Sequence, residues 1–139
     1  MQIAIKLQQL FKRYQQAFIH YELDELCRCY HLPCTLNTPD KIVLLASGSD
    51  CHQEFNRIFK QLKDAKTSQV IAKKATFEQV SKALYLVCID WHFIDGVGEV
   101  FSEFTAIYHV LETDETLKIV NVVSHELENS LTLAEPLYW

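Results

Sequence analysis

An α+β fold is predicted for this chain, on three observations. Helical periodicity dominates its first half, strand-like stretches run from Gln69 to Glu126, and tight-turn residues separate those strands. The faces of the sheet they would form are both largely apolar, whereas a sheet wet on one side alternates cleanly between apolar and polar. Such a sheet needs a helical layer on one face and a second cover on the other.

The first helix is marked by Ile3, Leu7, Leu10, Phe11, Tyr14, Phe18 and Tyr21, which recur at three- and four-residue steps and form one apolar stripe. Lys6, Gln8, Gln9, Lys12, Arg13, Gln15 and Gln16 fill the opposite face. A short second helix is expected over 23–30, closed by Pro33. Two short strands follow, over 34–38 and 42–46, broken by Pro39-Asp40. Asp50 is the expected N-cap of a third helix, with Gln53 at the capping-box spacing and Phe55, Ile58, Phe59 and Leu62 as its buried stripe. Strands are then expected over 69–80, 83–94, 99–112 and 117–126, with turns at Asp95-Gly96-Val97-Gly98 and Thr113-Asp114-Glu115-Thr116.

The 139 residues fit one domain, and no linker, repeat or low-complexity stretch divides them. At 49% hydrophobic and 22% charged, the chain has the balance of an ordinary globular protein. Its formal charge of −5 argues against nucleic acid as a partner, because phosphate binding wants clustered Lys and Arg. No apolar run approaches the roughly 20 residues of a membrane span. The N-terminal segment lacks the continuous apolar stretch of a secretory signal, so a cytoplasmic location is expected. Cys27, Cys29, Cys34, Cys51 and Cys88 are odd in number and have no extracellular framework, which fits free thiols. Cys27-Arg28-Cys29 with Cys34 does not match the usual ligand spacing of structural zinc, and no metal is expected there. With three glycines in all, and no glycine-rich phosphate loop, no nucleotide cofactor is expected.

Read together, Asp95-Gly96 in the hairpin and Leu117-Lys118-Ile119-Val120-Asn121-Val122-Val123-Ser124-His125-Glu126 at the end of the meander resemble the nuclear-transport-factor-2-like superfamily. This is a group that includes ketosteroid isomerases and SnoaL-like cyclases. The resemblance covers nearly the whole chain. It implies three helices on a strongly curved antiparallel or mixed sheet, the cystatin-like cone, with a pocket whose mouth and lid come from the helices. It implies no single chemistry, since one fold hosts many functions.

Symmetric closure of the first hairpin puts Asp90 opposite Glu103, Cys88 opposite Thr105 and Tyr85 opposite Tyr108. Symmetric closure of the second puts Glu103 opposite Glu126 and Thr105 opposite Ser124. One face then holds Tyr85, Ile89, Trp91, Phe93, Phe104 and Tyr108. The other holds Cys88, Asp90, His92, Glu103, Thr105, Ile107, Val122 and Ser124. The sorting is conditional, because a bulge or a one-residue slip exchanges the faces of a strand. The resemblance directs Val120, Val122 and Ser124 into the cone and so selects the second face as the pocket. It also sets Ile107 where an isomerase carries an oxyanion-stabilising acid, which an isoleucine cannot replace. The aromatic face becomes the convex side, too large a patch for a monomer to leave in water. A homodimer packed through Tyr85, Ile89, Trp91, Phe104 and Tyr108 is expected to cover it.

Asp90, His92 and Glu103 are then the ionisable group on the pocket face and the candidates for catalysis. Two opposed carboxylates repel, which favours one of them keeping its proton, as acid–base isomerisation or dehydration requires. His92 lies about 6.6–7 Å from Asp90 along the strand, a spacing that suits flanking a ligand better than a relay. The plainer alternative is a wet rim of the sheet with His92 as counter-charge to the acids. Tyr14, Phe18, Cys88, Thr105, Ile107, Val122 and Ser124 are the expected ligand contacts, and core packing is the alternative for Tyr14 and Phe18. The functional expectation is a small apolar molecule in the pocket, with cofactor-independent isomerase, dehydratase or cyclase chemistry. A non-catalytic dimerisation module whose cone is filled by its own aromatics is the rival.

Overall fold

The computed structural model describes residues 2–139 and contains three helices, one mixed sheet and a C-terminal strap. Helix α1 (Gln2–Ile19) buries Leu7, Leu10, Phe11, Tyr14 and Phe18, the stripe its periodicity dictates. Helix α2 (Leu23–Arg28) is shorter than expected, and strand β1 (Tyr30–Asn37) starts almost at once. Pro33 therefore does not end the helix; it lies inside β1, after a cis Leu32–Pro33 bond. Strand β2 (Ile42–Leu45) follows a turn in which the Thr38 amide donates to the Lys41 carbonyl.

Helix α3 (Gly48–Asp64) is capped by Ser47, not Asp50. The Ser47 hydroxyl accepts from the Asp50 amide at 3.2 Å, while the Asp50 carboxylate turns back to accept from the Ala46 amide at 3.1 Å. Ser47-Gly48-Ser49-Asp50 is thus the capping segment, with the acid in the first turn where the helix dipole favours it. Four strands complete the sheet: β3 (Gln69–Gln79), β4 (Leu84–Ile94), β5 (Val100–Thr113) and β6 (Thr116–His125).

The sheet order is β2-β1-β6-β5-β4-β3-β7, where β7 (Glu135–Pro136) is a short strand in the strap. The β1–β6 pair is parallel and the others are antiparallel. The helices close over one face of this sheet, and the core lies between them.

Register decides which residues face that core. The β5–β6 turn is the two-residue loop expected, with positive φ at both Asp114 and Glu115, and Thr113 pairs with Thr116. Along β6, however, His109 pairs with Asn121 while Val110 pairs with Ile119, so Val120 is a bulge without a partner. The β4–β5 hairpin is offset by two residues from the symmetric expectation. Trp91 faces Phe104, His92 faces Glu103, and Asp90 faces Thr105. In its turn the Asp95 carboxylate accepts from the amides of Val97 and Glu99, and Gly98 takes a φ of +89° that favours glycine. A two-residue offset preserves faces. A one-residue bulge exchanges them.

The consequence is an inversion of the expected sheet. Tyr85, Val87, Ile89, Trp91 and Phe93 of β4, with Ala106, Tyr108 and Val110 of β5, lie buried under the helices. Beyond the bulge Val122 and Ser124 join that face, opposite Tyr108 and Ala106. Trp91 is 2% exposed and Tyr108 fully buried, so the aromatic surface expected to drive a sheet-to-sheet homodimer is interior to one copy. Tyr85, Ile89, Trp91 and Tyr108 are core, and Phe104 is packed against that core.

Residues after Glu126, for which no element was expected, cross the outer face. The 3-10 turn Leu127–Asn129 packs on β5, and Ser130 donates to Asp90 at 2.7 Å. The Leu133 amide donates to the Thr76 hydroxyl, β7 pairs with Thr76 and Phe77, and Leu137 is buried at the sheet edge. At the end of the strap the Trp139 indole donates to Gln15 of α1 and its ring stands edge-on to Trp91, centroids 6.3 Å apart.

Candidate functional site

Three buried polar side chains on the inner face form a directed chain. An indole N–H can only donate, so the 2.8 Å contact between Trp91 Nε1 and the Tyr108 oxygen has one polarity. The Tyr108 proton is then given to the Tyr14 oxygen at 3.1 Å. The Tyr14 proton is left for Tyr30, whose ring centroid is 6.4 Å from that of Tyr14, or for a group in the space beside it. Burial pushes the phenols of Tyr14, Tyr30 and Tyr108 well above the usual tyrosine value, which keeps them protonated donors.

That space is a cavity of about 270 Å³ between the sheet, α1, α3 and the β1–β2 hairpin. Tyr30, Trp91 and Tyr108 line its sheet side together with Phe93, Phe104, Val122 and Ser124, and Tyr14 faces them from α1. Phe18, Phe55 and Ile58 supply helical wall. Edge-to-face ring contacts lock the aromatics: Phe18 meets Phe55 at 6.2 Å and Phe93 at 6.3 Å, and Tyr14 meets Phe18 at 5.1 Å. Glu54, Arg57 and Gln61, spaced along one flank of α3, line the same cavity with Thr38 and Lys41 of the hairpin. Glu54 is mostly buried and pairs with half-exposed Arg57 at 2.5 Å.

Of the expected ligand contacts, Tyr14, Phe18, Val122 and Ser124 line this cavity. The candidates Cys88, Asp90, His92, Glu103, Thr105 and Ile107 do not; they lie on the outer face, and the bulge at Val120 parts them from Val122 and Ser124. Asp90 accepts from Ser130 of the strap. His92 lies 3.5 Å from Glu103, an exposed cross-strand neighbour. Cys88 and Thr105 touch each other at 3.3 Å, and both are buried in the outer layer. Because Ile107 points outward, its lack of a donor has no bearing on the cavity, whose inner end is supplied with donors by tyrosines.

Sequence reasoning missed Trp91, Tyr108, Phe93 and Phe104 as cavity wall, and it passed over Glu54, Arg57 and Lys41. The signal for the aromatics was present. A helical layer packs against the more apolar face, and the face with Trp91, Phe93 and Tyr108 is the more apolar of the two. Glu54, Arg57 and Gln61 follow helical spacing beside the buried stripe, a place where the edge of a groove is expected.

Fold and cavity define a helix-covered cone of the cystatin-like type. Residues 5–127 match the family described as NTF2-like protein (DUF6841), and the chain belongs to it. No curated protein matches the sequence. Among solved structures, Aln2 from a Streptomyces species superposes with a TM-score of 0.74 at 7% identity, covering 90% of this chain and 91% of that one. An NTF2-like protein with a cystatin-like fold from Novosphingobium aromaticivorans gives 0.72 at 10% identity, covering 90% and 82%. A putative calcium/calmodulin-dependent protein kinase II association domain from Xanthomonas campestris gives 0.62 at 15% identity, covering 86% and 84%. At these identities the likeness is one of fold.

Proposed function

We propose that the protein binds a small, largely apolar molecule inside the cone and meets a carbonyl or hydroxyl oxygen of that molecule with the Tyr14 hydroxyl. One observation carries the reading: the donor chain from Trp91 through Tyr108 leads to Tyr14, which lines the open cavity and whose own proton goes either to Tyr30 or to a bound group. A volume of about 270 Å³ lies just below the roughly 300 Å³ at which ligand pockets begin, which fits a small ligand. That open space favours a ligand over a cone filled by its own side chains. Isomerase, dehydratase or cyclase chemistry needs a base beside the donor. Among the described residues Glu54 is the carboxylate lining the cavity, and it is held by Arg57, so binding is proposed ahead of catalysis. Five free thiols favour a reducing compartment, and the cytoplasm is the proposed location.

A neutral naphthyl ketone, followed through quenching of tryptophan emission, tests the reading. Val122→Phe fills the cavity from β6 and is expected to abolish binding. Tyr14→Phe is expected to weaken it about two- to tenfold, the worth of one neutral hydrogen bond. Equal affinity in the wild-type protein and in Val122→Phe overturns the assignment of the site.

A further inference from the structure

Three charged side chains line the cavity, and their balance specifies more than an apolar ligand. Glu54 and Arg57 cancel within their ion pair, and the guanidinium remains half-exposed, with donors free beyond the one that meets Glu54. Lys41, exposed on the β1–β2 hairpin, lines the same cavity. Among the described residues its ammonium has neither an ion pair nor a hydrogen bond; its backbone makes the turn contacts with Thr38. Asp40 belongs to the same turn but does not line the cavity. The mouth thus carries one uncompensated positive charge in a protein whose net charge is −5. The inner end offers neutral phenols and no cation.

We propose that the ligand is an amphipathic anion. Its apolar body fills the aromatic cavity, and a carboxylate, or another acidic group of similar size, rests at the mouth between Lys41 and Arg57. This rests on the proposed small-molecule site and adds the class of molecule that the site selects. Arg57 supplies a planar fork suited to a carboxylate, and Lys41 supplies a mobile point charge. Glu54 keeps the guanidinium in place and lowers its pull on an incoming anion, so Glu54 tunes specificity and does not itself bind the ligand.

The test uses two probes of one skeleton: a naphthyl ketone bearing a carboxylate on its far ring, and the corresponding uncharged carboxamide. Each is titrated into the protein by isothermal calorimetry at low and at high salt. The carboxylate is expected to bind about tenfold more tightly at low salt, the factor carried by roughly 1.4 kcal/mol, and to lose most of that advantage at high salt. Lys41→Gln and Arg57→Gln should each weaken the carboxylate several-fold and leave the carboxamide unchanged. Glu54→Gln should strengthen the carboxylate alone, an opposite sign that a merely damaged fold does not produce. Equal binding of the two probes, unmoved by these variants, overturns the anion selectivity and leaves the pocket standing. Binding of neither probe overturns both.

Discussion

The two faces of strand β4 contrast within a single run of residues. Tyr85, Val87, Ile89, Trp91 and Phe93 lie beneath the helices, and the Trp91 indole is drawn into a buried hydrogen-bond chain. Leu86, Asp90 and His92, on the alternate positions, are half-buried on the outer face, and the two polar ones make single contacts to the strap or to a neighbouring strand. Ionisable residues draw attention in a sequence because they can do chemistry. Here they lie on the face where water remains available to them. The side chains that shape the site are those that need burial, and in this chain the aromatics mark the site better than the acids.

The contrast can be broken most severely at Trp91. Trp91→Ala removes a nearly full indole from the core together with the donor to Tyr108, and a loss of about 3–5 kcal/mol is expected in denaturant unfolding. A smaller loss there than from Asp90→Asn would reverse the assignment of inside and outside.

A second large effect comes from pH. Burial raises the phenols of Tyr14, Tyr30 and Tyr108 above the ordinary 10.0, and pushes the Cys29 and Cys34 thiols up from 9.0 to about 11 and about 12. A group whose folded pKa is raised contributes no pH dependence below its unfolded value. Above that value the unfolded chain ionises first and stability falls. Stability is therefore expected to be flat through neutral pH, to decline above about pH 9 as the thiols of the unfolded chain ionise, and to fall more steeply above about 10. Each group contributes a slope of up to about 1.4 kcal/mol per pH unit. Tyrosinate absorbance from the three phenols should appear together with unfolding and not before it. Early ionisation of all six tyrosines would show that the chain is open to water.

Tyr108→Phe sharpens the comparison at lower cost. It leaves the Trp91 indole N–H without its acceptor inside the core, for a loss of about 1–3 kcal/mol, while the matching outer-face change Ser130→Ala should cost about 1 kcal/mol. The smallest effect belongs to Glu103→Gln. Its partner His92 is a surface neighbour at 3.5 Å, and a change below about 0.5 kcal/mol is expected in the same unfolding assay.

Much of this was legible residue by residue. The stripe on α1, the segment that starts α3, the Asp114-Glu115 loop and the four long strands follow from local periodicity and turn chemistry, and they appear within a few residues of expectation. Tyr14, Phe18, Val122 and Ser124, four of the expected ligand contacts, line the cavity. The catalytic candidates Asp90, His92 and Glu103 lie outside the cavity together, for one reason. Only β6 ties them to the cone in the sequence, and the phase of β6 changes at Val120. Ile119-Val120 and Val122-Val123 are adjacent apolar pairs, so β6 carries no clean alternation to reveal where its phase changes.

Sequence alone determined the elements, because helical stripes, caps and tight turns depend on contacts among near neighbours in the chain. The tertiary structure decided which side of the sheet became the inside. Side-chain direction in a strand has a period of two, so a single unpaired residue reverses everything beyond it. Val120 takes that role through how the curved sheet pairs across β1, β5 and β6, and no run of neighbouring residues encodes it. The strap that covers Asp90 and the mouth formed by Lys41, Glu54 and Arg57 belong to the same class. Each joins segments distant in the chain, whose meeting is fixed only once the helices have closed over the aromatic face.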